Sequence, residues 1–98
     1  MKVQFYKIAQ KEFDGSVEFY NKERAGLGDE FLNEVVGAIK RIKCFPQAWP
    51  VYYQDIRGCQ LKRFPFRLVY RQRNNLLQII AVANFHRAPF YWTKRLKS

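Results

Sequence analysis

The stretch RFPFRLVYRQR, residues 63–73, sets Arg63, Arg67, Arg71 and Arg73 among large apolar side chains. Guanidinium groups placed this way suit either of two chemistries: neutralising phosphate, or pairing with the carboxylates of an acidic partner. Further along stands His86, the sole histidine, whose imidazole can take or give a proton near neutral pH. Arg87 follows it directly, and Tyr91, Trp92 and Trp49 offer aromatic faces on which bases could stack. Structural readings stand beside these. His86 could simply hold the C-terminal segment in place, Trp49 fits a core plug beneath a helix end, and Arg73 suits a solvated turn. One histidine and two cysteines at unrelated spacings form no metal-binding pattern, and no cofactor is expected.

The charge of the chain is concentrated around these residues. Of a formal net charge of +10 over 98 residues, +9 falls from Asp55 onward, where ten Lys/Arg accompany one acid. Such a surface attracts nucleic acid or an acidic protein segment. At 48% hydrophobic and 17% aromatic, the chain has the composition of one packed domain rather than a disordered tail. Cys44 and Cys59 make no disulfide framework and read as small core or strand residues. No apolar targeting segment precedes the first charge and no run could cross a bilayer, so a cytoplasmic protein with reduced thiols is expected.

The elements that must position these side chains follow from periodicity. KVQFYK alternates as a short strand. From Ile8, the spacing of Ala9, Phe13, Ser16/Val17 and Tyr20 predicts an amphipathic helix. ERAGLGDEF is a break, after which Asp29 and Glu30 favour a helix start. Phe31, Val35, Ala38, Ile39 and Ile42 then form a second apolar stripe, ended by the prolines of CFPQAWP. A strand near Ile56–Phe64 puts Cys59 and Leu61 on one face. Pro65 marks a turn or bulge, and residues 66–73 and 76–85 flank Asn74-Asn75 as a tight hairpin.

A two-residue turn there sets a register in which Arg73 opposes Leu76, Arg71 opposes Gln78, Val69 opposes Ile80 and Arg67 opposes Val82. On the other face Phe66, Leu68 and Tyr70 meet Ala83, Ala81 and Ile79, with the helices approaching closely over the alanines. Val69, Ile80 and Val82 would then form an apolar patch rimmed by Arg67 and Arg71, covered either by the basic tail HRAPFYWTKRLKS or by a partner. The expected fold is α+β: an N-terminal strand, then an antiparallel helical hairpin packed on one face of an antiparallel meander, then the basic tail.

Three stretches in this order, FYNKERAGLGDEFLNEVVGAIKRIKCFPQAWP, LKRFPFRLVYR and IIAVANFHRAPFYWTKR, resemble the RelE/ParE toxin superfamily of bacterial type II toxin–antitoxin systems. The resemblance spans nearly the whole chain. It implies a growth-inhibiting toxin neutralised by an acidic antitoxin, with either DNA gyrase (ParE-like, not an enzyme) or ribosome-bound messenger RNA (RelE-like) as target. RelE-like cleavage uses the 2′-hydroxyl as nucleophile, cations on the phosphorane and a group that moves protons. Carried over, Arg67 matches the arginine opening the RLVY motif and Tyr91 the C-terminal tyrosine. The paired lysine positions fall on Gly58 and Gln60, with Lys62 and Arg63 out of phase, and the C-terminal arginine position falls on Phe85, two residues before Arg87.

The ribonuclease set is therefore Arg67, His86, Arg87 and Tyr91. The antitoxin- or target-binding set is Lys62, Arg63, Arg67, Val69, Arg71, Ile80, Val82, Trp92, Lys94 and Arg95. The missing lysines favour the ParE-like mode. A nucleic-acid-binding module without toxicity is the reading from another class, and the oligomeric state stays open.

Overall fold

A computed structural model describes residues 1–97. Helix α1 runs from Lys7 to Glu23 and α2 from Leu27 to Cys44. Ala9, Phe13, Val17 and Tyr20 of α1 and Phe31, Val35, Ala38, Ile39 and Ile42 of α2 supply their shared apolar face, as the helical spacing predicts. The second helix starts two residues earlier than expected. Gly26, at φ +89°, turns the chain into it, and the Glu30 N–H bonds the Gly26 carbonyl at 3.1 Å.

Gly28 does more than open a helix. A Cβ added there would lie 2.2 Å from the Val17 carbonyl oxygen of α1. The Gly28 N–H already donates to Asn21 Oδ1 at 2.7 Å. Gly28→Ala must therefore push the helices apart, with an expected loss of about 1–3 kcal/mol in urea unfolding. At Gly15 a Cβ meets nothing within 4 Å. Gly15→Ala is expected to stabilise α1 by about 0.5–1 kcal/mol.

The strands are β1 (Lys2–Phe5), β2 (Val51–Tyr53), β3 (Ile56–Gln60), β4 (Phe66–Arg73) and β5 (Leu76–Asn84), in the order β1-β5-β4-β3-β2. The sheet is mixed, because β1 joins the edge of β5 in parallel. The meander carries an additional strand, β2, whose three residues are too few to show a period. The Asn74-Asn75 turn forms as expected, with Asn74 at φ +54° and Arg73 opposite Leu76.

Beyond that the register departs from expectation. Tyr70 pairs with Ile79 but Val69 with Ala81, so Ile80 is an extra residue and β5 is bulged there. Arg67 consequently opposes Ala83 rather than Val82, and Val69 opposes Ala81 rather than Ile80. The extra residue reverses the facing of everything after it. Val82 joins Phe66, Leu68, Tyr70, Leu77 and Ile79 beneath the helices, while Ala81 and Ala83 turn to the opposite face. There they join Ile56, Val69, Ile80 and Trp92 in a second, smaller core, closed by Tyr91 and Leu96. The cover is the chain's own C-terminal 3-10 helix, Tyr91–Leu96.

Trp49 packs against the main core, and its carbonyl accepts a 2.7 Å hydrogen bond from Arg57. Cys59 is buried, and burial pushes its thiol pKa up; Cys44 is exposed at the end of α2 rather than in the core. Among the described residues no helix is long and apolar enough to cross a membrane.

Candidate functional site

Strand β1 stops at Phe5, so β5 beyond Ile79 has no neighbouring strand on that side. Two side chains complete it. Glu12 Oε1 of α1 accepts the Val82 N–H at 3.0 Å, and Arg95 donates to the Ile80 carbonyl at 2.9 Å. The two are joined by an ion pair, Arg95 Nη2 to Glu12 Oε2 at 2.7 Å. Tyr91 donates its hydroxyl to the same carboxylate at 2.6 Å, and Arg87 approaches it at 3.7 Å. Glu12 thus fastens three side chains of the C-terminal segment to the bulge. Burial opposes its ionisation, but hydrogen bonds from Arg95, Tyr91 and the Val82 N–H outweigh that and hold its pKa below the ordinary value. Burial, then the bond to Glu12, pushes Tyr91 up to about 12.

Arg67 emerges from β4 on the same face of the sheet. Its guanidinium lies over the rings of Tyr52 and Phe85, 4.7 and 5.2 Å from their centroids. Gly58, across the ladder on β3, makes room for this: a Cβ there would meet Tyr52 Cε2 at 2.2 Å and Arg67 Cδ at 2.6 Å. A cleft of about 200 Å³ beside Arg67 is lined by Asn84, Phe85, Arg87, Tyr91 and Trp92 among others. Arg67, Arg87 and Tyr91 therefore converge. His86 does not line that cleft; it is exposed, with its N–H on Asn84 Oδ1 at 2.8 Å.

The remaining expected site residues are scattered. Arg63 pairs with Glu30 and turns toward α2, so the turn at Pro65 does not bring it beside Arg67. Lys62 is exposed in the same turn, its N–H on Glu34. Arg71 bonds Gln78 and the Tyr6 hydroxyl at 3.0 and 2.8 Å, toward the β1 side. Val69 and Ile80 are buried beneath Trp92 of the basic tail, one of the two expected covers, and Val82 lies under the helices instead of beside those two. Trp92 is 4% exposed and Arg95 is sequestered on Glu12; both hold the tail rather than present a surface. Lys94 is exposed near Tyr53 and Gln54.

Glu12 and Tyr52 carry no expectation from the sequence, and Gly58 and Phe85 stand there only where RelE-like cations are missing. Glu12 carried a signal. It stands three residues after Ala9, a charge beside the buried stripe of α1. Tyr52 lies on a strand too short to be seen, and the contact that needs Gly58 crosses two strands.

No protein-family model matches the chain, and no curated protein matches it either. Chains of solved structures do match in three dimensions. One, from the chromosomal ParDE toxin–antitoxin system of P. aeruginosa, superposes with a TM-score of 0.62 at 19% identity. It covers 86% of this chain and 95% of that one. This chain has that fold: strand, helical hairpin and a sheet packed on it.

Proposed function

We propose that this chain is the toxin of a type II toxin–antitoxin pair, arresting growth by poisoning DNA gyrase rather than by cutting RNA. The likeness of fold to a chain of a ParDE system supports the toxin reading. The observation that carries the non-cleaving mode is the state of Tyr91. Its proton is committed to Glu12 at 2.6 Å and its pKa is pushed up to about 12, so it is poorly matched to moving protons near neutral pH. The positions of the RelE-like lysines are Gly58 and Gln60, and of the two cations that follow, Lys62 is exposed in the turn and Arg63 is held by Glu30. An acidic antitoxin neutralises the chain by binding its basic second half.

One observation favours the RelE-like endonuclease as a second reading: Arg67 and Arg87 share a cleft with Tyr91, and exposed His86 precedes Arg87. The two modes separate on His86→Ala and Tyr91→Phe. Both variants are expected to keep growth arrest upon induction without antitoxin, scored by colony counts. A nuclease relying on either group would lose roughly a hundredfold or more of its cleavage rate. Loss of arrest in a variant with unchanged thermal unfolding would sink the non-cleaving mode.

A further inference from the structure

The fold leaves Arg67 without an explanation. Arg24, Arg63, Arg73, Arg87 and Arg95 each face a carboxylate. Arg57 donates to backbone carbonyls, and Arg71 to Gln78 and Tyr6. The Nε of Arg67 is instead buried with no hydrogen-bond partner, and among the described residues no acid pairs with the guanidinium. A polar group left this way is destabilising until something accepts its hydrogen bond. The fold nonetheless builds room for it, leaving Gly58 bare where any Cβ would strike Tyr52 and Arg67.

The surroundings describe what would fit. Phe85 and Phe90 flank the cleft while 47% and 48% exposed, and Phe90 is held at φ +61°, a left-handed backbone unusual for a bulky residue. A second recess of about 180 Å³ lies between Tyr52, Arg67, Pro89, Phe90 and Trp92. Neither recess reaches the roughly 300–1,000 Å³ of small-molecule sites, but each holds a protein side chain. A central arginine among exposed aromatic rings is the composition of a protein–protein hot spot. The guanidinium is recessed among those rings. A carboxylate on a flexible stem, with an apolar side chain beside it, would meet the guanidinium and the two exposed rings together.

We propose that Arg67, Tyr52, Phe85 and Phe90 form the anchor point for an acidic peptide segment. An Asp or Glu carboxylate of the segment pairs with Arg67, and an adjacent apolar side chain lies against Phe85 and Phe90. The net charge of +9 beyond residue 54, with Asp55 its sole acid, draws such a segment to this half of the molecule. This rests on the toxin–antitoxin reading, in which the segment belongs to the antitoxin.

The test pans a random dodecapeptide library on the full chain and titrates the enriched peptides, with twelve-nucleotide oligouridylate as competitor. Enriched peptides are expected to place Asp or Glu beside an apolar residue. Their affinity should fall roughly tenfold or more in Arg67→Lys, which keeps the charge but loses the planar fork, and likewise in Gly58→Ala. Arg73→Ala, at the hairpin turn, should change nothing. If Arg67→Lys fails to fold, Gly58→Ala decides alone. No enrichment, acid-free peptides, or equal affinity for the variants overturns the proposal, and oligouridylate that displaces peptide through Arg67 assigns the cleft to nucleic acid. Arg67-dependent binding by a chain that does not arrest growth keeps the anchor and sinks the toxin reading. Arrest without Arg67-dependent binding does the reverse.

Discussion

Glu12→Ala is expected to cost about 3–5 kcal/mol of stability, because it strands a buried positive charge. The Arg95 side chain is 9% exposed and Glu12 is 15% exposed, so neither can turn to water without moving the tail. The same change removes the acceptor of the Val82 N–H at the bulge and of the Tyr91 hydroxyl. In a domain of this size the loss corresponds to a fall in Tm of roughly 15 °C or more.

The carboxyl also makes the stability depend on pH. Its folded pKa lies below the ordinary value of 4.5, so its contribution is complete above that value and disappears as pH falls through the lower, folded one. Glu30 is depressed too, chiefly by its hydrogen bond from Arg63, but it stands in solvent on α2. Glu12→Gln isolates the buried carboxyl. Denaturant unfolding between pH 7 and pH 3 should show wild type losing more stability than Glu12→Gln, with the difference confined to the acid side of 4.5. Parallel curves would mean that the ion pair contributes nothing to the fold.

Trp92→Ala is the second large effect, expected at about 3–5 kcal/mol. The indole fills the second core against Ile56, Val69, Ile80, Ala81 and Ala83, and its ring meets Tyr53 and Phe90 at 6.3 and 5.9 Å. Tyr6, Tyr91 and Leu96 pack against that core but are only partly buried, whereas Trp92 is 4% exposed. Removal opens a cavity and frees the 3-10 helix, uncovering Val69 and Ile80. Both the drop in denaturant midpoint and new binding of a hydrophobic dye should follow. A loss under about 1 kcal/mol would make the tail a loose cover rather than part of the fold.

The two helices and the bounds of β4 are legible in the sequence because polar residues interrupt the apolar ones at the right period. The run LLQIIAVAN is not legible in the same way. After Gln78 every residue before Asn84 is apolar, so alternation carries no phase. The bulge at Ile80 then reverses the facing of Val82, Ala81 and Ala83 without leaving a mark. That one residue takes Val82 out of the expected patch, while Val69 and Ile80 keep their expected face. It also hides the reason for Glu12, whose partners stand 70 to 83 positions away in the chain. Arg67, by contrast, could be singled out from RLVY, although the rings that hold it could not. The basic run as a whole promised a broad cationic surface. Folding divides it: Arg63, Arg73 and Arg95 go to internal acids, and Arg67 is left for something else.

Inducing the chain in bacteria without an antitoxin tests the proposed mode, a toxin that traps gyrase without cleaving RNA. Transcript ends and covalent gyrase–DNA complexes would be mapped in the same culture. Growth arrest with intact transcripts and accumulated gyrase–DNA complexes is the predicted result. Arrest with transcripts cut on the ribosome and gyrase untouched would contradict it, and so would normal growth.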